Sequence, residues 1–175
     1  MFFAPLYLLV LAPLATLATP IMPKTVAPAP APLLVAAAKG TQNYVCDPSQ
    51  KKWLLTGADA ALTDASGKEI GVHFFTDAVP HWKLFADDSF IATRTIFAIP
   101  SPDLNPPQDG KPAPAKNIPW LSTRKIDCSD HGLLSEANYV ARTDTHGGVA
   151  PPADTCTEYG AEQKVAYAAN YYFGK

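Results

Sequence analysis

The segment 165–173, VAYAANYYF, places Val165, Tyr167, Ala169, Tyr171 and Phe173 on one side of an extended chain and Asn170 and Tyr172 on the other. A period of two belongs to a strand and not to a helix. From Lys39 onward, apolar residues recur in short runs broken by Gly, Pro, Asp and Asn, and no stretch sustains helical spacing. Strands are predicted over 42–46, 52–55, 60–63, 69–75, 82–85, 90–99, 120–125, 138–142 and 165–173. DASGK, Asp64 to Lys68, offers a turn with Gly67 tolerant of positive φ, so 60–63 and 69–75 are expected to pair antiparallel. The fold class that follows is all-β, a single-domain antiparallel sandwich or partly closed barrel with a long Pro-rich loop.

The 175 residues divide by composition. Residues 1–18, with an apolar run from Leu6 to Leu14 and small residues around Ala15 to Thr19, read as a signal peptide cleaved after Ala18. The apolar run is too short, and too broken by Pro5 and Pro13, to cross about 30 Å of hydrocarbon. No later segment is a candidate membrane span. Residues 19–38 include PIMPKTVAPAPAP and read as a Pro/Ala-rich linker or pro-segment, biased to polyproline II. The β domain is placed at 39–175. Within it, residues 100–119, PSPDLNPPQDGKPAPAKNIP, are too rich in proline for ladder or helix. They form a surface loop, read as a disordered insertion with a binding element as the alternative. A formal net charge of -2, with 14 Lys and Arg spread along the chain, supplies no basic stripe, so no nucleic acid partner is expected.

Export favours disulfides over free thiols or thiolate metal sites. Of the three cysteines, Cys46 and Cys156 flank most of the domain, and joining them closes a loop of about 110 residues, worth roughly 4 to 5 kcal/mol in the chain-entropy account. That pairing is favoured, and Cys128 with Cys156 stands as the alternative. No Asn-x-Ser/Thr sequon is present.

The local signatures of dinucleotide binding, the nucleophile elbow, zincin chemistry and P-loop phosphate binding are all missing. Three positive features remain. GVHFFTDAVPHW holds His73 and His81 with Asp77 between them, a set that could bind zinc or copper if the turn folds back. The plainer reading makes His73 a core or strand-end histidine and His81 a surface residue. RTDTHGGVAPP offers Thr143, Thr145 and His146 beside Gly147 and Gly148, one wall of a ligand site or simply a tight turn. Trp82, Trp120, Tyr167, Tyr171 and Tyr172 could form a sugar-binding face, although Trp and Tyr also serve ordinary strand packing. Acidic residues such as Asp59, Asp64, Asp77, Asp87, Asp88, Asp103 and Asp109 fall mostly in turns, where backbone hydrogen bonding explains them. No acid/base pair is nominated.

The ordered series GTQNYVC, KW, GKEIGVHFF, IPWL, THGGVAPPADTC and VAYAANYYF resembles a family of secreted fungal and bacterial proteins classed as domain of unknown function 3455. The likeness runs from about Gly40 to Phe173. It covers Gly40, Gln42, Tyr44, Cys46, Gly71, His73, Trp82, Pro119, Trp120, Thr145, Gly147, Gly148, Cys156, Tyr167 and Tyr171. It implies a secreted, mostly β domain, and it sets both Cys46 and Cys156 within matching motifs. ADDSF and CSDHG depart from the family's usual turns, so Cys128 and His131 look peculiar to this chain. Fungal members are often labelled malate dehydrogenase. That label is rejected here because such an enzyme needs a parallel βαβ sheet and its glycine fingerprint, and the sequence has neither.

The expected function is a secreted binding or interaction module for glycan or a cell surface. His73, Trp82, Trp120, Thr145, Gly147, Gly148 and Tyr171 are its candidate contacts. The alternative is a small extracellular metal-binding protein or enzyme using His73, with His81 and Asp77. No cofactor is expected on the first reading, and zinc or copper on the second.

Overall fold

The computed structural model describes residues 31–102 and 115–175. The expected leader, most of the expected linker and the centre of the Pro-rich loop lie outside the described residues.

Eight strands follow one another: β1 Leu34–Asp47, β2 Lys52–Thr63, β3 Glu69–Thr76, β4 Val79–Leu84, β5 Phe90–Ile99, β6 Trp120–Cys128, β7 Tyr139–Gly147 and β8 Glu162–Gly174. Each pairs antiparallel with the next, and β8 returns to β1, closing a barrel in simple meander order. The expected all-β antiparallel domain is therefore present, but as a fully closed barrel and not as a sandwich or a partly closed one. The long β1–β8 ladder, from Leu34↔Phe173 to Val45↔Glu162, makes the closure. No α-helix occurs among the described residues, and none of their helices is long and apolar enough to cross a membrane.

Two local differences from the sequence reading have clear causes. The stretches 52–55 and 60–63 are one strand. Asn43 pairs with Gly57 and Tyr44 with Leu55, so Thr56 is accommodated as a bulge and its hydroxyl donates to Asn43 O at 3.1 Å. The Thr-Gly-Ala-Asp run looked like a turn but only bends the strand. At the other end β1 begins at Leu34, ahead of the boundary drawn at 39, with Ala36 and Ala38 buried. These small side chains face a lumen crowded by Trp82, Tyr171 and Phe173. The 64–68 hairpin forms as expected, with Gly67 at φ 83° and Asp64 N donating to Lys68 O at 3.0 Å.

One end of the barrel is plugged. Leu62, Leu84, Ile91, Leu134, Val140 and Phe173 are essentially without exposure there. Leu134 rides on a single 3-10 turn, Leu133–Glu136, pinned across the opening. Asp87 accepts from Leu133 N at 2.7 Å and from Ser89, while Ser89 Oγ accepts from Leu134 N at 3.2 Å. The Asp87 carboxyl is held below its ordinary range by these hydrogen bonds, chiefly that of Ser89.

The opposite end is tied by the disulfide Cys46–Cys156, with Cα atoms 5.3 Å apart. Trp53 packs against it and donates from Nε1 to Thr155 Oγ1 at 3.1 Å. Tyr44 reaches across to Gly148 O at 2.7 Å. Cys128 stays free and half-buried. The bridge closes a loop of 110 residues, so reduction, or replacing both cysteines by serine, should cost about 4 to 5 kcal/mol. The check is thermal unfolding with and without reductant. An unchanged midpoint would show that the ladder alone holds this end together.

Candidate functional site

The plug ends partway up the barrel, and above it lies a cavity of about 350 Å³. Its mouth follows from pairing geometry. β4 and β5 pair only from His81↔Ala92 to Lys83↔Phe90, whereas β5 and β6 continue to Ile99↔Trp120. The upper part of β5 therefore stands apart from β4, and Val79, Pro80 and Thr95 line the cavity on that side.

The inner wall is polar, which is unusual for positions that alternate with core residues. Gln42, His73, Thr93, Thr123 and Arg142 are all buried, the least so being Arg142 at 8% exposure. Around the outside the lining turns apolar, through Leu55, Phe75, Val79, Pro80, Leu121 and Ile126. Among the described residues neither Asp nor Glu lines the cavity.

Strand alternation puts His73 inside, where its ring stacks on Trp82 with centroids 4.3 Å apart and lies 5.3 Å from the ring of Tyr171. Its Nδ1 is 2.8 Å from His81 O. A carbonyl only accepts, so Nδ1 carries the proton and Nε2 presents its lone pair. Burial drives the His73 pKa down to about 4, with the His81 carbonyl opposing and the Arg142 charge assisting. The imidazole is neutral at any ordinary pH.

Arg142 donates from Nε and Nη2 to Pro119 O, at 3.3 and 2.9 Å, and pairs across the ladder with Tyr171. Tyr171 in turn meets Tyr167, hydroxyl to hydroxyl, at 3.1 Å. Burial raises the pKa of both phenols, so they remain neutral donors. A guanidinium has five N–H donors, and those two bonds leave part of that set without a protein acceptor among the described residues. Among the described residues buried Trp82 Nε1 and Thr93 Oγ1 have no hydrogen-bond partner, and neither has Trp120 Nε1.

The candidate residues from sequence divide into three groups. His73, Trp82 and Tyr171 come together in the lumen. Thr145, Gly147 and Gly148 instead anchor the returning end of the Pro-rich loop. Thr145 Oγ1 donates to Ile118 O at 2.6 Å, Gly147 N donates to Asn117 Oδ1 at 2.8 Å, and Ile118 N donates to Gly147 O at 3.0 Å. Gly148, at φ 78°, backs onto Gln42, and a Cβ there would lie 2.9 Å from Tyr167 Cβ and 3.2 Å from Gln42 Cγ. The double glycine is thus a buttress behind the cavity wall. Trp120, at the start of β6, does not line the cavity.

The set His73, Asp77 and His81 is not assembled as a metal site. His73 pairs across the ladder with Trp82 and His81 with Phe74, so the two imidazoles lie on opposite faces of the sheet. His81 stacks on Phe74, and Asp77 sits in the exposed turn at φ 49°. Among the described residues no group of three His, Cys, Asp or Glu could hold a metal ion. Spacing along the chain suggested proximity, and the period of two took it away. Sequence reading missed Thr93, Thr123 and Arg142, and treated Gln42 only as part of the family pattern. The available signal was polarity at alternating inward positions, two residues from Ile91 and Val140 and on the same face of β1 as Tyr44.

Fold and site together define a closed eight-stranded antiparallel barrel with a polar-walled cavity open at one end. The chain belongs to the family described as "Protein of unknown function (DUF3455)", whose model matches residues 27–175. No curated protein and no solved structure matches it.

Burial of His73 has a thermodynamic consequence. The unfolded side chain gains its proton near 6.5 and the folded one only near 4. Between those values the unfolded state holds the extra proton, so stability falls as pH falls, by roughly 3 kcal/mol across the window. His131, exposed and raised by Asp130, pulls weakly the other way. Denaturant titrations from pH 7 to 4 should show this slope, and His73→Gln should flatten it. An equal slope in the variant would assign it to other groups.

Proposed function

We propose that this chain is an exported binding protein that takes a small amphipathic molecule into the barrel lumen. The observation that carries the reading is a buried polar layer around one cavity: Gln42, His73, Thr93, Thr123 and Arg142 line it, and among the described residues Arg142 is only partly bonded, through Pro119 O. Buried polar groups in folded proteins are nearly always satisfied, and leaving one bare costs about 1 to 3 kcal/mol. A site that keeps several such groups beside an apolar rim has the composition of a ligand pocket. A barrel of eight strands also has an interior of suitable width for one small ligand.

The expected glycan or surface module is narrowed by this reading. Trp82 and Tyr171 are buried inside the barrel and do not form an open aromatic face, so a single small ligand suits them better than a polymer. The disulfide and the expected leader are compatible with export. Binding is favoured over catalysis because an imidazole with a pKa near 4 is a weak general base at neutral pH.

Thr93→Phe tests the site. Its hydroxyl has no partner to lose, and the ring should occupy the lumen. A neutral naphthylamine dye that brightens in apolar surroundings should bind the unmodified protein, and at least tenfold more weakly to the folded variant. Equal binding by the two would place the dye elsewhere and reject the lumen as the site.

A further inference from the structure

Resting on the lumenal reading, we propose that the ligand is a monocarboxylate whose carboxylate is bound by Arg142 and whose apolar body lies against the rim. The first support is an unbalanced charge. Arg142 is buried, and the ion pairs of the described residues, Lys83–Asp88, His131–Asp130, Lys164–Asp59 and Lys175–Glu136, do not include it. Among the described residues its hydrogen-bond partner is the carbonyl of Pro119, and its cross-strand neighbour Tyr171 is neutral. A desolvated cation without an anion is costly unless something supplies the countercharge. Among the described residues no acid lines the cavity, and Asp59 is already taken on the outer surface by Lys164 and Asn43.

Shape and donor chemistry indicate which anion. The guanidinium fork retains N–H groups suited to a planar carboxylate, on a cavity wall shared with Gln42 and Thr123. A phosphate monoester carries nearly two charges and calls for more cations. Among the described residues Arg142 is the one buried cation in the lining, since Arg94 is exposed. Beyond the polar wall come Leu55, Phe75, Val79, Pro80, Leu121 and Ile126, which suit hydrocarbon. At interior packing density, 350 Å³ holds about a dozen non-hydrogen atoms. That is the size of a medium-chain fatty acid or a simple aromatic acid.

The test uses decanoate and cinnamate against decanamide and cinnamamide, each titrated into the unmodified full-length protein and followed by displacement of the neutral dye. Each acid should displace the dye at least tenfold more effectively than its amide. Arg142→Gln, which keeps an N–H for Pro119 O, should abolish the difference. Which acid is stronger tells an aliphatic ligand from an aromatic one. If acids and amides displace equally, or if only the dye binds, the carboxylate assignment is overturned while the lumenal site stands. If the dye does not bind either, both fall. Should Arg142→Gln fail to fold, the acid-to-amide ratio on the unmodified protein decides alone.

Discussion

Everything in this molecule depends on the ladder between β1 and β8. It joins the first strand of the domain to the last, from Leu34↔Phe173 to Val45↔Glu162, and turns a meander that would otherwise have two bare edges into a barrel. Closure satisfies the backbone donors and acceptors that an open sheet exposes at its edges. It also fixes which side chains face inward, because a shift of one residue would exchange every inward and outward position. The small residues Ala36, Ala38 and Ala169 line this seam on the inside, where larger ones would meet Trp82, Tyr171 and Phe173.

Along the barrel axis the interior changes character. Leu62, Leu84, Ile91, Leu134, Val140 and Phe173 fill one end, and the hydrogen bonds of Asp87 and Ser89 hold the 3-10 turn over it. That end supplies apolar burial without exposed polar cost. Midway, the same inward positions become Gln42, His73, Thr93, Thr123 and Arg142. Apolar residues there would stabilise the barrel more, so this layer is where the structure gives up stability. Such departures from good packing concentrate at functional sites. The mouth exists because β5 extends past its short pairing with β4, and elsewhere on the barrel the disulfide with Trp53 and Thr155 ties β1 and β2 to the loop before β8.

Much of the fold is legible in the sequence. The alternation in β8 and the Gly67 turn follow from local pattern, and the Cys46–Cys156 pairing is the favoured one of two that the sequence leaves open; each is present. Closure is not legible, because nothing local in β1 names β8 as its partner. The bulge at Thr56 is hidden for a related reason: a Gly-containing run reads as a turn until its neighbour, Asn43, is known. The site is half legible. His73, Trp82 and Tyr171 stand out by residue type, but Arg142 belongs with them only because β7 lies beside β8, where Arg142 pairs with Tyr171. The His73–His81 spacing misled because alternation places the two on opposite faces of the sheet.

The central claim is that the lumen between the polar wall and the apolar rim is where this protein meets its ligand. The most direct measurement is a nuclear magnetic resonance titration of the protein with decanoate, reading the indole N–H signals of its three tryptophans. Trp82 lines the cavity with an unpartnered Nε1, whereas Trp53 is already bonded to Thr155 beside the disulfide. The account predicts a large, saturable shift of the Trp82 indole and of the Arg142 Nε–H, with Trp53 left nearly in place. Saturable shifts confined to residues on the outer faces of the strands, with Trp82 and Arg142 unmoved, would contradict it.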